Sequence, residues 1–170
     1  MKSIINSIYF LTFLSFAQPC DLGYELNGTN DYITIPNTTN INANNTAVAT
    51  RTIETWFKVD DATPRQVIFE EGAQVNAILL YVEAERVYCG GFRGNGGSSE
   101  FFRSANNSIL DDTWYHVALV ISTSGGTTTF DWYLDGNHED SQTAFTIPKH
   151  TGDINLGRNG GNMRYPNCAT

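Results

Sequence analysis

The apolar residues of this chain repeat every second position, and that period limits the folds open to it. In RTIETWFKV, residues 51–59, Ile53, Thr55, Phe57 and Val59 alternate with Thr52, Glu54, Trp56 and Lys58. A period of two gives an extended strand two unlike faces. Similar short runs recur as LGYEL, DYITI, QVIFEE, NAILLYV, ERVYCGGF, SEFFRS, TWYHVALVIS, TTTFDWYL, TAFTI and DINLG, mostly parted by Gly, Asn, Asp or Ser. About eleven candidate strands at this spacing predict a sandwich or barrel. No stretch holds apolar residues at helical spacing for several turns. The connections are too short for the helical crossovers that parallel strands need, so the chain reads as all-β and antiparallel.

The hairpin DDTWYHVALVISTSGGTTTFDWYLDG, residues 111–136, is the most explicit element. Trp114, His116, Ala118 and Val120 project to one side and Tyr115, Val117, Leu119 and Ile121 to the other. Both sides are mostly apolar, which places this strand in the middle of a sheet. Ser-Gly-Gly-Thr supplies the positive-φ positions of the turn, and Asp135-Gly136 punctuates the returning strand.

At 170 residues the chain suits one domain. Residues 1–17, MKSIINSIYFLTFLSFA, place one lysine before an apolar run that ends in small residues, the pattern of a secretory signal peptide cut after Ala17. Asn6 and Ser7 interrupt the run, which falls short of the ~20 residues of a membrane span. Residues 18–170 then form the single domain, secreted or held at the cell surface, with no membrane span. Export favours disulfides, and Cys20, Cys89 and Cys168 permit one bridge in three possible pairings. The formal charge of −8 repels phosphate backbones and argues against nucleic acid as a partner. PNTTNINANNTAVATR, residues 36–51, is expected to be a long surface loop, because Asn and Thr side chains compete for backbone hydrogen bonds. Asn27, Asn37, Asn44 and Asn106 each open an Asn-x-Ser/Thr triplet.

LDDTWYHVALVI, a glycine turn and WYLDG, in that order, resemble the laminin G-like, concanavalin A-like jelly-roll domains. ELNGTNDYITI resembles that family's first hairpin, TIETWFKV its Glu-x-Trp strand, and DINLGRNGG its late strand ending in a glycine pair. The similarity covers roughly residues 22–162. It implies a sandwich of two antiparallel sheets with the ligand site in loops at the rim of a concave side. Nothing after Gly161 resembles the family's closing strand, so the domain is expected to be C-terminally incomplete, with its first strand left at an open edge.

The resemblance also implies a calcium question. The family's acidic ligand position falls on Asn76 and its second oxygen ligand on Lys149. An amide is a poor ligand for a hard cation and an ammonium repels one. No cofactor is therefore expected, with Asp31 and Asp135 the remaining calcium candidates. Catalysis is not expected either. Glucanases of this fold use two carboxylates flanking one bond, whereas Glu70 and Glu71 are adjacent and must face opposite ways. Asp60-Asp61 and Asp111-Asp112 share that defect. His116 lies within a strand as framework, and no Gly-x-Ser-x-Gly elbow accompanies it.

Sugar recognition needs exposed rings for stacking and amides or charged groups for hydroxyls. Candidates are Tyr88, Phe92, Arg93 and Asn95 in YCGGFRGNGG, with Asn159 and Tyr165 near the last loop. Gly90 and Gly91 suggest a bend or bulge that re-aims side chains. Trp56, Trp114 and Trp132 match framework positions and are not counted as platforms. The sequence thus reads as a secreted, non-catalytic module that binds a glycan. The alternatives are an adhesion or structural module contacting an extracellular protein, and a fragment of a larger multidomain surface protein or glycoside hydrolase.

Overall fold

The computed structural model describes residues 23–38, 50–72, 76–94, 99–150 and 152–159, the side chains of 99–101 excepted. The leader, most of the Asn/Thr tract and the chain after Asn159 lie outside the described residues. Ten strands run in chain order as β1 (Ile33–Ile35), β2 (Thr50–Phe57), β3 (Gln66–Gly72), β4 (Asn76–Glu83) and β5 (Arg86–Arg93). They continue as β6 (Ser99–Arg103), β7 (Tyr115–Ser124), β8 (Thr127–Leu134), β9 (Asn137–Ala144) and β10 (Ile154–Leu156). One sheet has six strands in the order β1, β10, β3, β4, β5, β6, and the other has four in the order β2, β7, β8, β9. All pairings are antiparallel. The all-β, two-sheet sandwich is what the period-two pattern requires.

The core lies between the sheets. Ile53 and Phe57 of β2, Val117, Leu119 and Ile121 of β7, and Phe130 and Trp132 of β8 meet Ile78, Leu80, Val87 and Cys89 of the larger sheet. The hairpin turn carries Gly125 and Gly126 at φ of 59° and 83°, and Asp135-Gly136 forms a second turn at 49° and 78°. β7 is interior to its sheet, but its two faces differ: Val117, Leu119 and Ile121 are wholly buried, whereas His116 and Val120 are half-buried.

Three local expectations are corrected. Residues 23–26 of LGYEL form no strand, and the strand expected at TAFTI falls instead on the polar segment NHEDSQTA, β9, which ends at Ala144. Polar residues suffice there because β9 is an edge strand whose register is set by the tight turn from β8. Gly90-Gly91 forms no bulge, since β4 and β5 pair without a shift. Gly91 instead makes room for Ile147: a Cβ there would stand 2.8 Å from the Ile147 Cδ1. The register shifts lie at Val67/Phe69 and Trp132/Tyr133.

Candidate functional site

Alternation puts Tyr88 and Phe92 on the side of β5 that faces away from the four-stranded sheet. There they form a second cluster with Ala77, Leu79 and Tyr81. Tyr88 stacks in parallel on Tyr81, ring centroids 4.7 Å apart, and both Tyr88 and Phe92 are only 8% exposed. This corrects the expectation that they are open stacking platforms, because their faces are already in contact. Arg93 is exposed, with its guanidinium 5.0 Å from the Phe145 ring centre. Asn159 is half-buried in the loop after β10. β3 and β4 separate β10 from β5, so roughly 14 Å parts the strand that leads into Asn159 from the Tyr88 strand. Asn95 and Tyr165 lie outside the described residues.

The two positions raised by the calcium question do converge. The Asn76 side-chain amide donates to the Lys149 carbonyl oxygen at 3.1 Å, and its oxygen accepts the Gly94 N–H at 3.2 Å. Asp135 serves the backbone, accepting the His116 N–H at 2.8 Å. Among the described residues, no three of His, Cys, Asp and Glu gather closely enough to hold a metal ion. Glu70 and Glu71 face opposite ways, as adjacency dictates. Glu70 accepts from Asn155 at 2.7 Å on the outer face of its sheet. Glu71 turns inward to Arg51 and to His150, whose Nε2 lies at an ion-pair distance of 3.2 Å but out of hydrogen-bond alignment.

The outer face of the four-stranded sheet carries an open aromatic surface. Trp132 is buried as framework, but Trp56 is 64% exposed and Trp114 51%, which corrects their framework assignment. The reason is parity: Trp56 shares its side of β2 with Thr52 and Glu54, opposite to buried Ile53 and Phe57. Trp56 pairs with His116 across the ladder, and their rings meet at 5.1 Å. One step along, Glu54, Ala118, Tyr133 and His138 form a continuous row through all four strands. Tyr133 and His138 are edge-to-face at 5.1 Å. Ala118 is the small member of that row. Its methyl leaves a low floor with Glu54 on one side, Tyr133 on the other and His116 at the end. His116 Nε2 lies 3.9 Å from the Glu54 carboxylate. Asp131 accepts from the Ser141 hydroxyl and lies 3.7 Å from His138 Nε2. Rings beside carboxylates around a small floor can stack on a pyranose and accept hydrogen bonds from its hydroxyls. The alternation in β2 already put Trp56 on the polar side, and that was the signal that could have found it.

Residues 27–167 match the family model described as the concanavalin A-like lectin/glucanases superfamily. The chain belongs to that superfamily. No curated protein matches the sequence. Among solved structures, this superfamily member is similar to the Ruminococcus gnavus IT-sialidase CBM40 bound to α2,3-sialyllactose. The two share 17% identity and a TM-score of 0.52, over 68% of this chain and 65% of that one. It is also similar to domains LG4-5 of the mouse laminin α1 chain, with 19% identity and a TM-score of 0.51 over 73% and 30%. The botulinum neurotoxin serotype C1 binding domain gives 12% identity and a TM-score of 0.60 over 82% and 34%. The chain thus spans just under two thirds of the first and about a third of the others. At these identities the likeness establishes a shared fold. No helix among the described residues is long and apolar enough to cross a membrane.

Proposed function

We propose that this chain is an exported, non-catalytic glycan-binding module whose ligand lies on the outer face of the four-stranded sheet. One observation carries the reading: Trp56 stands exposed in ring contact with His116, beside the low floor that Ala118 makes between Glu54 and Tyr133. A large apolar ring kept in water next to paired polar groups is costly to leave idle and well suited to a sugar face. Two solved neighbours support the class, one a module bound to sialyllactose and one a toxin whose cell entry depends on ganglioside. Glu70 and Glu71, held in structural contacts on opposite faces, support a role without bond cleavage. Export rests on the leader and on the extracellular setting typical of such modules.

A protein-contacting adhesion module is the second reading. It is favoured by Leu110 and Trp114, which leave apolar surface exposed in the connection before β7. The two separate by competition. Binding to a glycan array that free sugar displaces and Trp56→Ala abolishes supports the first. An array that stays silent, with a protein ligand captured through Trp114, supports the second.

A further inference from the structure

We infer that the Trp56 face selects neutral oligosaccharides and rejects sialylated or sulfated ones. The inference rests on the glycan-binding reading and adds the charge of the ligand. The carboxylates, cations and imidazoles of these strands bear on it.

The fixed charges of the platform are carboxylates. Glu54 and Asp131 project from the face itself, and Asp135 stands exposed in the β8–β9 turn beside it. The cations of these strands are engaged: Arg51 turns inward to Glu71, and Lys58, on the Trp56 side just past the end of β2, lies 3.9 Å from Asp112. A sulfate or a sialic carboxylate is bound by guanidinium forks or ammonium groups. From β2 to β9 this face offers no guanidinium, and the ammonium at its margin, Lys58, is set against Asp112. The two imidazoles do not change the balance. His116 faces Glu54 and His138 faces Asp131, so each imidazole is set against a carboxylate.

Carboxylates are acceptors only, and the hydroxyls of an uncharged sugar are donors, so the two match without any cation. The platform is also long. From Trp56 on β2 to His138 on β9 the rings cross three strand intervals, ~14 Å, which suits a short oligosaccharide better than one ring. Tyr133, one step along the ladder from His116, supplies a second stacking surface toward the far end. By charge, this chain parts from the sialyllactose-bound module that shares its fold.

A glycan array printed with matched cores, each in neutral, sialylated and sulfated form, tests this. It is probed with the full chain, with Trp56→Ala and with the double variant Glu54→Gln, Asp131→Asn. The neutral form of a bound core should exceed its charged counterparts by at least about tenfold at low salt, since like charges across an interface are strongly disfavoured. That gap should narrow at high salt and in the double variant. A native chain that binds sialylated or sulfated forms as well as their neutral counterparts, in a Trp56-dependent way, overturns the inference and leaves glycan binding standing. A native chain that binds no core, or a folded Trp56→Ala that binds like the native chain, overturns the placement of the site and the inference with it.

Discussion

Asn76 donates its side-chain amide to the Lys149 carbonyl oxygen and accepts the Gly94 N–H, so one neutral side chain ties three loop ends together. A carboxylate at this position would turn the same carbonyl toward a cation; the amide turns it into a hydrogen-bond acceptor. The melting temperature of the native chain should therefore be the same in excess calcium and in chelator. Asn76→Asp removes the donor and sets an anion against the carbonyl, at a cost of about 1 kcal/mol. Thermal melts read both, and a calcium-dependent rise in the native chain would show that the carbonyl is a metal ligand.

The three tryptophans should divide cleanly. Trp132 is buried against Phe102, ring centroids 6.4 Å apart, and Trp132→Ala should cost about 3–5 kcal/mol. Trp56→Ala removes an exposed ring and should change stability by less than about 1 kcal/mol while abolishing glycan binding. Urea unfolding paired with array binding measures the two effects separately. Equal losses of stability would place Trp56 in the framework after all.

Cys89 is wholly buried in the core, and desolvation pushes its thiol far above the ordinary range, so the reactive thiolate does not form at neutral pH. It should resist iodoacetamide in the folded protein and react on unfolding. That burial disfavours the two pairings that use Cys89; Cys20 and Cys168 lie outside the described residues. β1 and β10 are antiparallel neighbours, so the chain ahead of Ile33 and the chain beyond Leu156 leave their ladder at the same end. Non-reducing peptide mapping of the oxidised protein should find a Cys20–Cys168 linkage. A linked Cys89 peptide would refute it.

Glu71 is 1% exposed and faces both Arg51 and His150 between the sheets. Removing Glu71 leaves the Arg51 guanidinium without its counter-charge, so Glu71→Ala should destabilise by about 3 kcal/mol. Glu71→Gln keeps an acceptor for Arg51 and should cost less. The order of the two denaturation midpoints checks the assignment, and equal midpoints would show that Glu71 contributes packing alone.

Period-two alternation and turn residues were enough to read the strand class, the central hairpin and the opposed faces of Glu70 and Glu71. These are local properties, set by the backbone pleat and by positive-φ turn chemistry. The strand NHEDSQTA escaped because an edge strand is held by its neighbour's backbone and needs no apolar residues of its own. Alternation also told that Trp56 and Ile53 must face apart, and that Tyr88 and Cys89 must. Which face of each strand meets solvent depends on where the other sheet and the remaining chain lie. That is why Tyr88 and Phe92, legible as a pair, proved packed, while Trp56 and His116, sixty residues apart in the chain, proved to share an open surface. The single sequence contained the two faces, and only the docking of one sheet on the other decided which of them could touch a ligand, because burial is a property of neighbours that local spacing does not specify.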